Sequence, residues 1–268
     1  MNALSDVAVL IPAFNGQADM ERTLASFSES STVYVLIVDD GSTPPLVAPF
    51  IDGMHIDILR MPQNGGIERA LQAGIDELSK RGVRYAARID AGDLATPARL
   101  AKQRAYMEVH PNVAVLGMWT HVVSKTGAPL FDLTPPTDPA TLRRTMLART
   151  CFTHPSLMLR VDAVREAGNY RARYRAAEDL DLLLHLLERY DGANLPEFGL
   201  YYELNEGSIS ASKRRRQIVS TLRLQMRYFR AMNPPDWIGI ARSFAHLMLP
   251  YRMLRSLKAR LLSQKETR

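Results

Sequence analysis

Apolar positions in the first half of the chain fall into short runs separated by helical patterns. The runs at 7–11 and 33–38 are continuous, which predicts strands buried on both faces, and 56–61 and 84–89 predict two further strands. Apolar residues spaced three or four apart predict helices over 19–27 and 66–80. Repeated strand–helix units predict an α/β fold with a Rossmann-like, mostly parallel sheet and helices on both faces.

The second half of the chain has a less regular pattern. Strands are predicted at 113–118, 120–124, 156–161 and 200–204, and a leucine-rich face predicts a helix over 177–189. The Pro-rich stretch 129–139 is predicted to be a surface loop. Because no internal repeat or low-complexity linker precedes residue 212, residues 1–212 are predicted to form one region with halves at 1–110 and 111–212.

Composition restricts the possible class of protein. A single cysteine among 268 residues excludes an internal disulfide and fits a reducing compartment, and Cys151 is predicted to be a small buried apolar residue. No basic segment precedes the first apolar run, and no stretch of about 18 uncharged apolar residues occurs. Neither a signal peptide nor a membrane span is predicted, so we expect a cytoplasmic protein.

Charge is divided unevenly along the chain, whose net charge is +6. Residues 213–268 contain 14 Lys and Arg against 2 Asp and Glu, while residues 1–212 are mildly acidic. The split indicates that the basic end has a partner of its own. We therefore treat 213–268 as a basic, amphipathic helical C-terminal extension.

The extension carries an apolar helical face, which continues as a stripe past Pro250. Its members are Trp237, Ala241, Phe244, Met248, Tyr251, Leu254, Leu257 and Leu261. The interspersed basic residues are Arg242, Arg252, Arg255, Lys258 and Arg260. This stripe either packs on the rest of the chain as ordinary core or lies on an anionic membrane surface. The second alternative makes the protein peripheral on the inner membrane face.

Each of the first four predicted strands ends in polar or Gly-rich residues. They are Pro12-Ala13-Phe14-Asn15, Asp39-Asp40-Gly41-Ser42, Asn64-Gly65-Gly66, and Asp90 with Asp93 in the run ARIDAGD. Any one of these is typical of an ordinary turn. Because sites in open α/β sheets lie beyond the carboxyl ends of the strands, the four together indicate a binding site at one rim.

Asp90 and Asp93 are separated by two small residues, Ala91 and Gly92. Paired carboxylates of this kind suit a hard divalent cation, Mg or Mn, held together with a substrate phosphate. The Walker sequence GxxxxGK[ST] is absent, and no GxGxxG follows the first strand. A metal-bridged nucleoside diphosphate is the remaining candidate ligand.

Six segments resemble, in order and spacing, the inverting family 2 glycosyltransferases of the GT-A fold: PAFNGQADMERTLASF, VDDGSTPP, NGGIERALQAGI, RIDAGDLATPARL, THPSLMLR and AAEDLDLLLHLL. The resemblance covers roughly residues 6–212 and implies a GT-A catalytic domain there. It implies transfer of a sugar from a nucleotide-sugar donor, a UDP-sugar, to a saccharide or lipid-linked acceptor in surface polysaccharide or glycolipid synthesis. The Gln-x-x-Arg-Trp pattern of processive synthases is absent, which favours a single-addition enzyme.

The resemblance also implies roles at the nucleotide. It places Pro12, Ala13 and Asn15 in the loop around the base and ribose. Asp39 is implied to accept a hydrogen bond from a uracil-like edge, with Asp40 near the ribose. The remaining implied contacts are a glycine-containing segment beneath the nucleotide and the Asp-x-Asp region for nucleotide and metal, that is, Asn64, Gly66, Gly74, Asp90 and Asp93.

Gly92 departs from the family pattern. Aligned on Thr96-Pro97, the family's usual run is Asp-Ala-Asp-Asp, and Gly92 stands where a metal-binding Asp is usual. Three outcomes are open: Asp93 turns in to bind the metal, Asp90 binds it through water, or the metal is held weakly. We favour Asp93, because a neighbouring glycine lets the backbone re-aim it.

Asp179 matches the family's base, which deprotonates the acceptor hydroxyl, and the resemblance places His154 and Glu178 on the acceptor side. Glu178 and Asp179 at the start of a helix are equally typical of carboxylates that complement the helix dipole. Ser208, Ser210 and the basic run from Lys213 resemble the loop that folds over the active site, or else form a helix N-cap followed by a solvated turn.

Two other functions are considered. One is a nucleotidyltransferase or sugar-nucleotide-processing enzyme, which would need a Gly/Lys-rich loop after the first strand that FNGQAD does not supply. The other is a nucleic-acid-binding module, indicated by the basic extension and a pI near 9.5. The acidic rim disfavours nucleic acid, so we expect none as a partner.

Overall fold

The computed structural model describes residues 4–174, 176–204 and 211–248. These residues form nine strands: β1 Val7–Ala13, β2 Val33–Asp39, β3 Met54–Arg60, β4 Tyr85–Arg88, β5 Leu94–Ala95, β6 Val113–Val123, β7 Pro129–Leu133, β8 Met158–Arg160 and β9 Asp191–Glu203. They also form eight α-helices: α1 Gln17–Ala25, α2 Ile67–Lys80, α3 Arg99–Val109, α4 Pro139–Thr145, α5 Val161–Glu166, α6 Glu178–Arg189, α7 Ala211–Arg227 and α8 Pro234–Met248.

All nine strands join one sheet, in the order β3-β2-β1-β4-β8-β6-β9-β5, with β7 paired to β6. The half formed by β1 to β4 is parallel throughout. The other half is mixed, because β8 runs antiparallel to both β4 and β6, while β6 and β9 are parallel. The carboxyl ends of β1, β2 and β4 therefore meet at one rim, as the strand–helix pattern predicts.

Two apolar cores cover the two faces of the sheet. Along β1, Ala8 and Leu10 face the core built with α2, α5 and α6, while Val9 and Ile11 face the core built with α1 and α3. This alternation with a period of two residues is that of a strand buried on both faces. Gly74 lets α2 approach the sheet closely, since a Cβ there would overlap the side chain of Leu10.

Two predicted elements in the second half need correction. Residues 129–133 are a strand rather than a loop; it is exposed along its length and, among the described residues, pairs with β6 alone, and a proline at the first position of such an edge strand is tolerated. The strand predicted over 200–204 begins at Asp191, because irregular register at Trp119 lets β9 follow β6 through its Gly and Pro residues.

The C-terminal extension packs on the rest of the chain where it is described. The side chain of Gln225 in α7 donates to the carbonyl of Leu147 at 2.7 Å, and that of Asn233 donates to the carbonyl of Arg144 at 2.8 Å. In α8, a Cβ on Gly239 would overlap the carbonyl oxygen of Leu147, so this glycine permits close contact.

The apolar stripe of α8 points away from that contact. Trp237 and Met248 are 57% and 78% exposed, and Phe244 and Ala241 are also exposed, whereas the buried positions are Asp236, Gly239 and Ser243. Ordinary core packing is therefore wrong for the stripe within 234–248, and its predicted continuation from Tyr251 lies outside the described residues. Within the described ranges, no helix is both long enough and apolar enough to cross a bilayer.

Candidate active site

Three cavities at the carboxyl rim of the sheet share lining residues and form what we call the strand-end cleft. The first, of about 290 Å³, is lined by Pro12, Ala13, Asp90 and Asp93 among others. The second, of about 240 Å³, shares Pro12 and Ala13 and adds Asp40, Asn64 and Gly66. The third, of about 500 Å³, shares Asn64 and Gly66 and extends to Glu178. The structure thus brings together the residues at four predicted strand ends.

Asp39 and Asp40 follow each other in sequence but occupy different environments. Asp39 is 0% exposed, and its carboxylate accepts from the amides of Ser42 and Leu46 at 2.8 and 3.2 Å and from Arg60 at 2.8 Å. These donors oppose the effect of burial and lower the pKa of Asp39. Asp39 therefore fixes the loop after β2, and Asp40 is the carboxylate that lines the cleft.

The turn at 64–66 is held by Asp40. Its two oxygens accept from the amides of Gly65 and Gly66 at 2.7 and 2.9 Å. Gly66 precedes α2 with a φ of 93°, a left-handed conformation that favours glycine. Asn15 does not line the cleft cavities and instead joins the two loops, since its amide donates to Ser42 Oγ and its side-chain oxygen accepts from the amide of Thr43, both at 2.9 Å.

Asp93 is the most buried carboxylate of the cleft, at 3% exposure. Its Oδ1 accepts from the amide of Glu203 at 2.9 Å, whereas Oδ2 is buried without a hydrogen-bond partner in the described part of the chain. Burial raises the pKa of Asp93 to about 8, and the negative charge of Asp90 acts in the same direction. A cation or a hydrogen-bond donor at the free Oδ2 would favour the ionised form of this carboxylate and lower its pKa.

Gly92 lies between Asp90 and Asp93 in the chain and has a φ of 107°, which only glycine adopts readily. Its amide donates to Thr23 Oγ1 at 2.8 Å, and its carbonyl accepts from Arg22 at 3.1 Å. Arg22 also pairs with Glu203 at 2.6 Å. Helix α1 and strand β9 thus hold the 90–93 loop, and neither contribution was predicted, because both partners lie far away in sequence.

Arg88 is a residue of this site that no sequence expectation covered. It is 2% exposed at the end of β4, and its Nη2 donates to Asp90 Oδ1 at 2.5 Å. Its Nε and Nη1 have no hydrogen-bond partner within the described residues. The sequence does contain a feature that could have indicated this role. Arg88 is an arginine inside an apolar strand, and a buried charge requires a partner.

Glu178 and Asp179 begin α6 and face different spaces. Glu178 lines the strand-end cleft, while Asp179 lines a separate cavity among α6, α7 and α8, which we call the helix cavity. Burial raises the pKa of Glu178 to about 7, with the charge of Asp179 adding to it. Burial also raises the pKa of Asp179, against the opposing effects of the Leu180 amide and of Arg88.

The other sequence predictions concern His154, Cys151, Ser208 and Ser210. The ring of His154 is joined to the Tyr170 hydroxyl at 2.8 Å, and burial, followed by the charge of Arg88, holds its pKa well below the usual value, so the ring is neutral. Cys151 is buried, as predicted, and lines the helix cavity. Ser208 and Ser210 lie outside the described residues.

Comparison with known proteins agrees with this architecture. The sequence profile described as "Glycosyl transferase family 2" matches residues 8–168. This chain belongs to glycosyl transferase family 2. EpsE of Bacillus subtilis (strain 168), which carries the name of a glycosyltransferase, is 32% identical over 99% of this chain and 98% of its own length. The amylovoran biosynthesis glycosyltransferase AmsE of Erwinia amylovora is 26% identical over 78% of this chain and 79% of its own.

Solved structures place this family 2 chain in the GT-A fold. S. aureus TarS (residues 1–349), solved in complex with UDP, superposes with a TM-score of 0.62 at 16% identity, over 97% of this chain and 77% of that one. The mannosyltransferase PcManGT from Pyrobaculum calidifontis, solved with GDP-Man and Mn2+, gives 0.60 at 14% identity, over 91% and 70%. The predicted GT-A architecture is confirmed, and the protein is a glycosyltransferase.

Proposed function

We propose that this glycosyltransferase moves a sugar from a nucleoside-diphosphate donor, a UDP-sugar, to an acceptor hydroxyl with inversion, in the synthesis of a surface polysaccharide or glycolipid. The observation that carries the proposal is that the strand-end cleft and the helix cavity lie next to each other at the start of α6. Asp40, Asp90 and Asp93 line the strand-end cleft, and Glu178 and Asp179 stand where this cleft adjoins the helix cavity, with Ala176 lining both. The donor lies in the first space and the acceptor in the second.

The reaction is a single displacement at the anomeric carbon of the donor. The acceptor oxygen forms a bond to that carbon, its proton passes to the carboxylate of Asp179, and the bond to the diphosphate oxygen breaks, releasing the nucleoside diphosphate. Only one positioned base is required. Asp179 suits this role, because it faces the helix cavity and its raised pKa makes it a better proton acceptor than an ordinary aspartate.

Asp90 and Asp93 fit a divalent cation that substrate oxygens complete. No group of three or more His, Cys, Asp and Glu side chains suited to a metal ion occurs in the described ranges, so the chain alone offers an incomplete ligand set. The unpartnered Asp93 Oδ2 is the free oxygen such an ion would take. When bound, Mg or Mn neutralises charge that develops on the leaving diphosphate.

The donor prediction is tested with a panel of UDP-glucose, UDP-galactose, UDP-GlcNAc and GDP-mannose. We expect slow release of nucleoside diphosphate from a UDP-sugar, dependent on Mg or Mn, and calorimetric binding of UDP that the metal strengthens. Asp93→Asn should abolish the metal-dependent part of UDP binding, because an amide is a poor ligand at the position of Oδ2. The fold should survive, as checked by circular dichroism.

Asp19→Asn is the matched control, since Asp19 lines the same cavity but is 62% exposed and lies 3.5 Å from Arg22. It should bind UDP and metal as the wild type does. Undiminished metal-dependent binding by Asp93→Asn would exclude Asp93 as a metal ligand. If no nucleotide-sugar in the panel is bound or hydrolysed, the proposed donor class is wrong.

The exposed stripe of α8 supports peripheral contact with an anionic membrane. Its apolar side chains, Trp237, Phe244 and Met248, face outward from a helix in the strongly basic extension. Basic residues near an anionic surface contribute about 1 kcal/mol each, an effect that salt screens. A membrane location would bring the enzyme to lipid-linked acceptors.

We expect the full chain to sediment with vesicles containing phosphatidylglycerol and to be released by high salt. Removing residues 234–268 would also remove packing at Gly239, so the sharper variant is the double substitution Trp237→Gln and Phe244→Gln. The double variant should bind the vesicles at least tenfold more weakly, as measured by co-sedimentation, and should bind UDP as the wild type does. Met226→Gln, at an even more exposed apolar site on α7, is the control. Unchanged sedimentation of the double variant, or none by the wild type, would rule out membrane contact through α8.

A further inference from the structure

The turn at 176–181, which presents Glu178 and Asp179 to the site, has little support of its own. Ala176 has a φ of 61°, a left-handed conformation that is strained for a residue with a side chain. Ala177 occupies the N-cap position of α6 and has no polar side chain that could cap the helix. Because a strained backbone persists only where surrounding contacts fix it, this turn depends on contacts with other residues.

Arg171 and Asp181 provide such a contact. Arg171 precedes the turn and Asp181 ends it, and Arg171 Nε and Nη2 donate to the two carboxylate oxygens of Asp181 at 2.8 and 2.6 Å. The side chain of Asp181 is 1% exposed. A bidentate arginine–carboxylate pair fixes direction as well as distance, and a buried carboxylate has no water to replace its partner. The pair therefore ties the two ends of the turn together.

Arg171 is itself held on two sides. Its neighbour Tyr170 is 0% exposed, and the Tyr170 hydroxyl lies 2.8 Å from His154 Nε2. On the other side, His185 Nδ1 lies 3.0 Å from Arg171 Nη2 and 2.6 Å from the hydroxyl of Tyr228, which directly follows α7. The guanidinium is thus fixed between a buried segment, α6 and the C-terminal extension, and is a firm anchor for the turn.

We propose that Arg171 is a positioning residue for sugar transfer. Through Asp181 it fixes the first turn of α6 and so directs the carboxylate of Asp179 into the helix cavity. The inference rests on the proposed function, which makes Asp179 the base. As the structure describes them, neither the strand-end cleft nor the helix cavity is lined by Arg171, so it acts through Asp181 and not on the substrate. A reacting group misplaced by about 1 Å can lower a rate by roughly 10²-fold.

The first test is kinetic and uses the full chain. The substrate is the nucleotide-sugar of the donor panel that is hydrolysed fastest, with water as the acceptor. Arg171→Met should lower kcat by about tenfold or more, while KM for the nucleotide-sugar and the affinity for UDP stay within about twofold of the wild type, because the donor lies in the strand-end cleft. Arg171→Lys keeps the charge but not the two parallel hydrogen bonds, so it should restore kcat only in part.

Arg165→Met is the matched control. Arg165 lies on α5, its side chain is 51% exposed, and it pairs with Asp76 at 3.9 Å. This variant makes the same chemical change as Arg171→Met, on an exposed ion pair that does not bracket the turn. It should hydrolyse the nucleotide-sugar with the kcat of the wild type.

A double variant separates positioning from stability. Arg171→Met alone leaves the Asp181 carboxylate buried without its partner, which destabilises the fold. Combining it with Asp181→Leu removes both charges, and apolar replacement of a whole buried pair is often neutral for stability. We expect the double variant to unfold at the temperature of the wild type, by circular dichroism, and to keep the low kcat of Arg171→Met. Recovery of the wild-type kcat would show that the pair serves stability alone and would overturn the inference.

Hydrogen exchange followed by mass spectrometry examines the turn without any substrate. In Arg171→Lys, the backbone amides of 176–181 should exchange faster by about fivefold or more, while those of 90–93 exchange as in the wild type. Unchanged exchange at 176–181, or a wild-type kcat in Arg171→Met, would overturn the inference and leave the proposed function intact. If the wild type cleaves no nucleotide-sugar, the proposed function fails, and the role of Arg171 fails with it.

Discussion

Replacing Asp179 by Asn should lower the rate of sugar transfer by roughly 10²–10⁴-fold, the usual contribution of a general base, while UDP binding is retained. The carboxylate faces the helix cavity, where the acceptor is proposed to lie, and not the strand-end cleft. Because only the ionised form accepts a proton and burial raises the pKa of Asp179, the transfer rate should rise with pH through a value above that of an ordinary aspartate. The measurement is kcat as a function of pH in wild type and variant.

Glu178→Gln is the comparison that decides which carboxylate acts. Glu178 precedes Asp179 directly but lines the strand-end cleft, and one of its oxygens is buried without a partner in the described residues. We expect this variant to alter donor affinity and to keep the acid limb of the pH profile. If Glu178→Gln loses transfer by two orders of magnitude and Asp179→Asn does not, the base is Glu178.

The arrangement of the rim follows from periodicity in the sequence. Continuous apolar runs in β1, β2 and β4 predict strands covered on both faces, and the polar residues that follow them must then reach the same edge. Nothing in that pattern predicts that α1 and β9 hold the 90–93 loop. Those contacts join residues more than 60 positions apart, as from Thr23 to Gly92, and depend on the packed structure.

The different roles of Asp39 and Asp40 could have been predicted from the strand geometry, because successive side chains of a strand point to opposite faces of the sheet. Ile37 faces the core on the α1 side and Val38 the core on the α2 side, so Asp39 and Asp40 continue toward opposite faces. The turn at 64–66 leads into α2, and only Asp40 reaches its amides. The resemblance to a family assigned both residues to the nucleotide, whereas alternation separates a carboxylate that fixes a loop from one that lines the cleft.

The helix cavity could not have been predicted from the sequence. Its walls come from residues 146–152, 176–183, 217–225 and 242–246, which include a segment without regular pattern and two helices expected to form a separate extension. Composition indicated only that the extension is basic. The close contact of α8 with Leu147 through Gly239 is what brings Arg242 near the site, and a single glycine in a helical pattern does not reveal its neighbour.

Replacing Arg88 by Met should reduce the free energy of unfolding by about 3–5 kcal/mol, the loss expected when removal of a cation leaves buried carboxylates without a compensating charge. Arg88 is buried beside Asp90, and burial raises the pKa values of Asp93, Glu178 and Asp179 against the opposing charge of Arg88. Without that charge the three pKa values rise further. A carboxyl with a raised pKa holds its proton longer in the folded state than in the unfolded state, so its contribution to stability falls as pH rises.

The loss in Arg88→Met should therefore be larger at pH 8 than at pH 5, measured as unfolding free energy in urea at both values. Arg22→Met is the control, because Arg22 pairs with Glu203 at a partly exposed site and should cost only about 0–1 kcal/mol at either pH. Arg88→Lys keeps the charge but not the planar fork, so it should restore the pH dependence more fully than the stability. Equal stability of Arg88→Met and wild type at both pH values would mean that Arg88 does not balance these carboxylates.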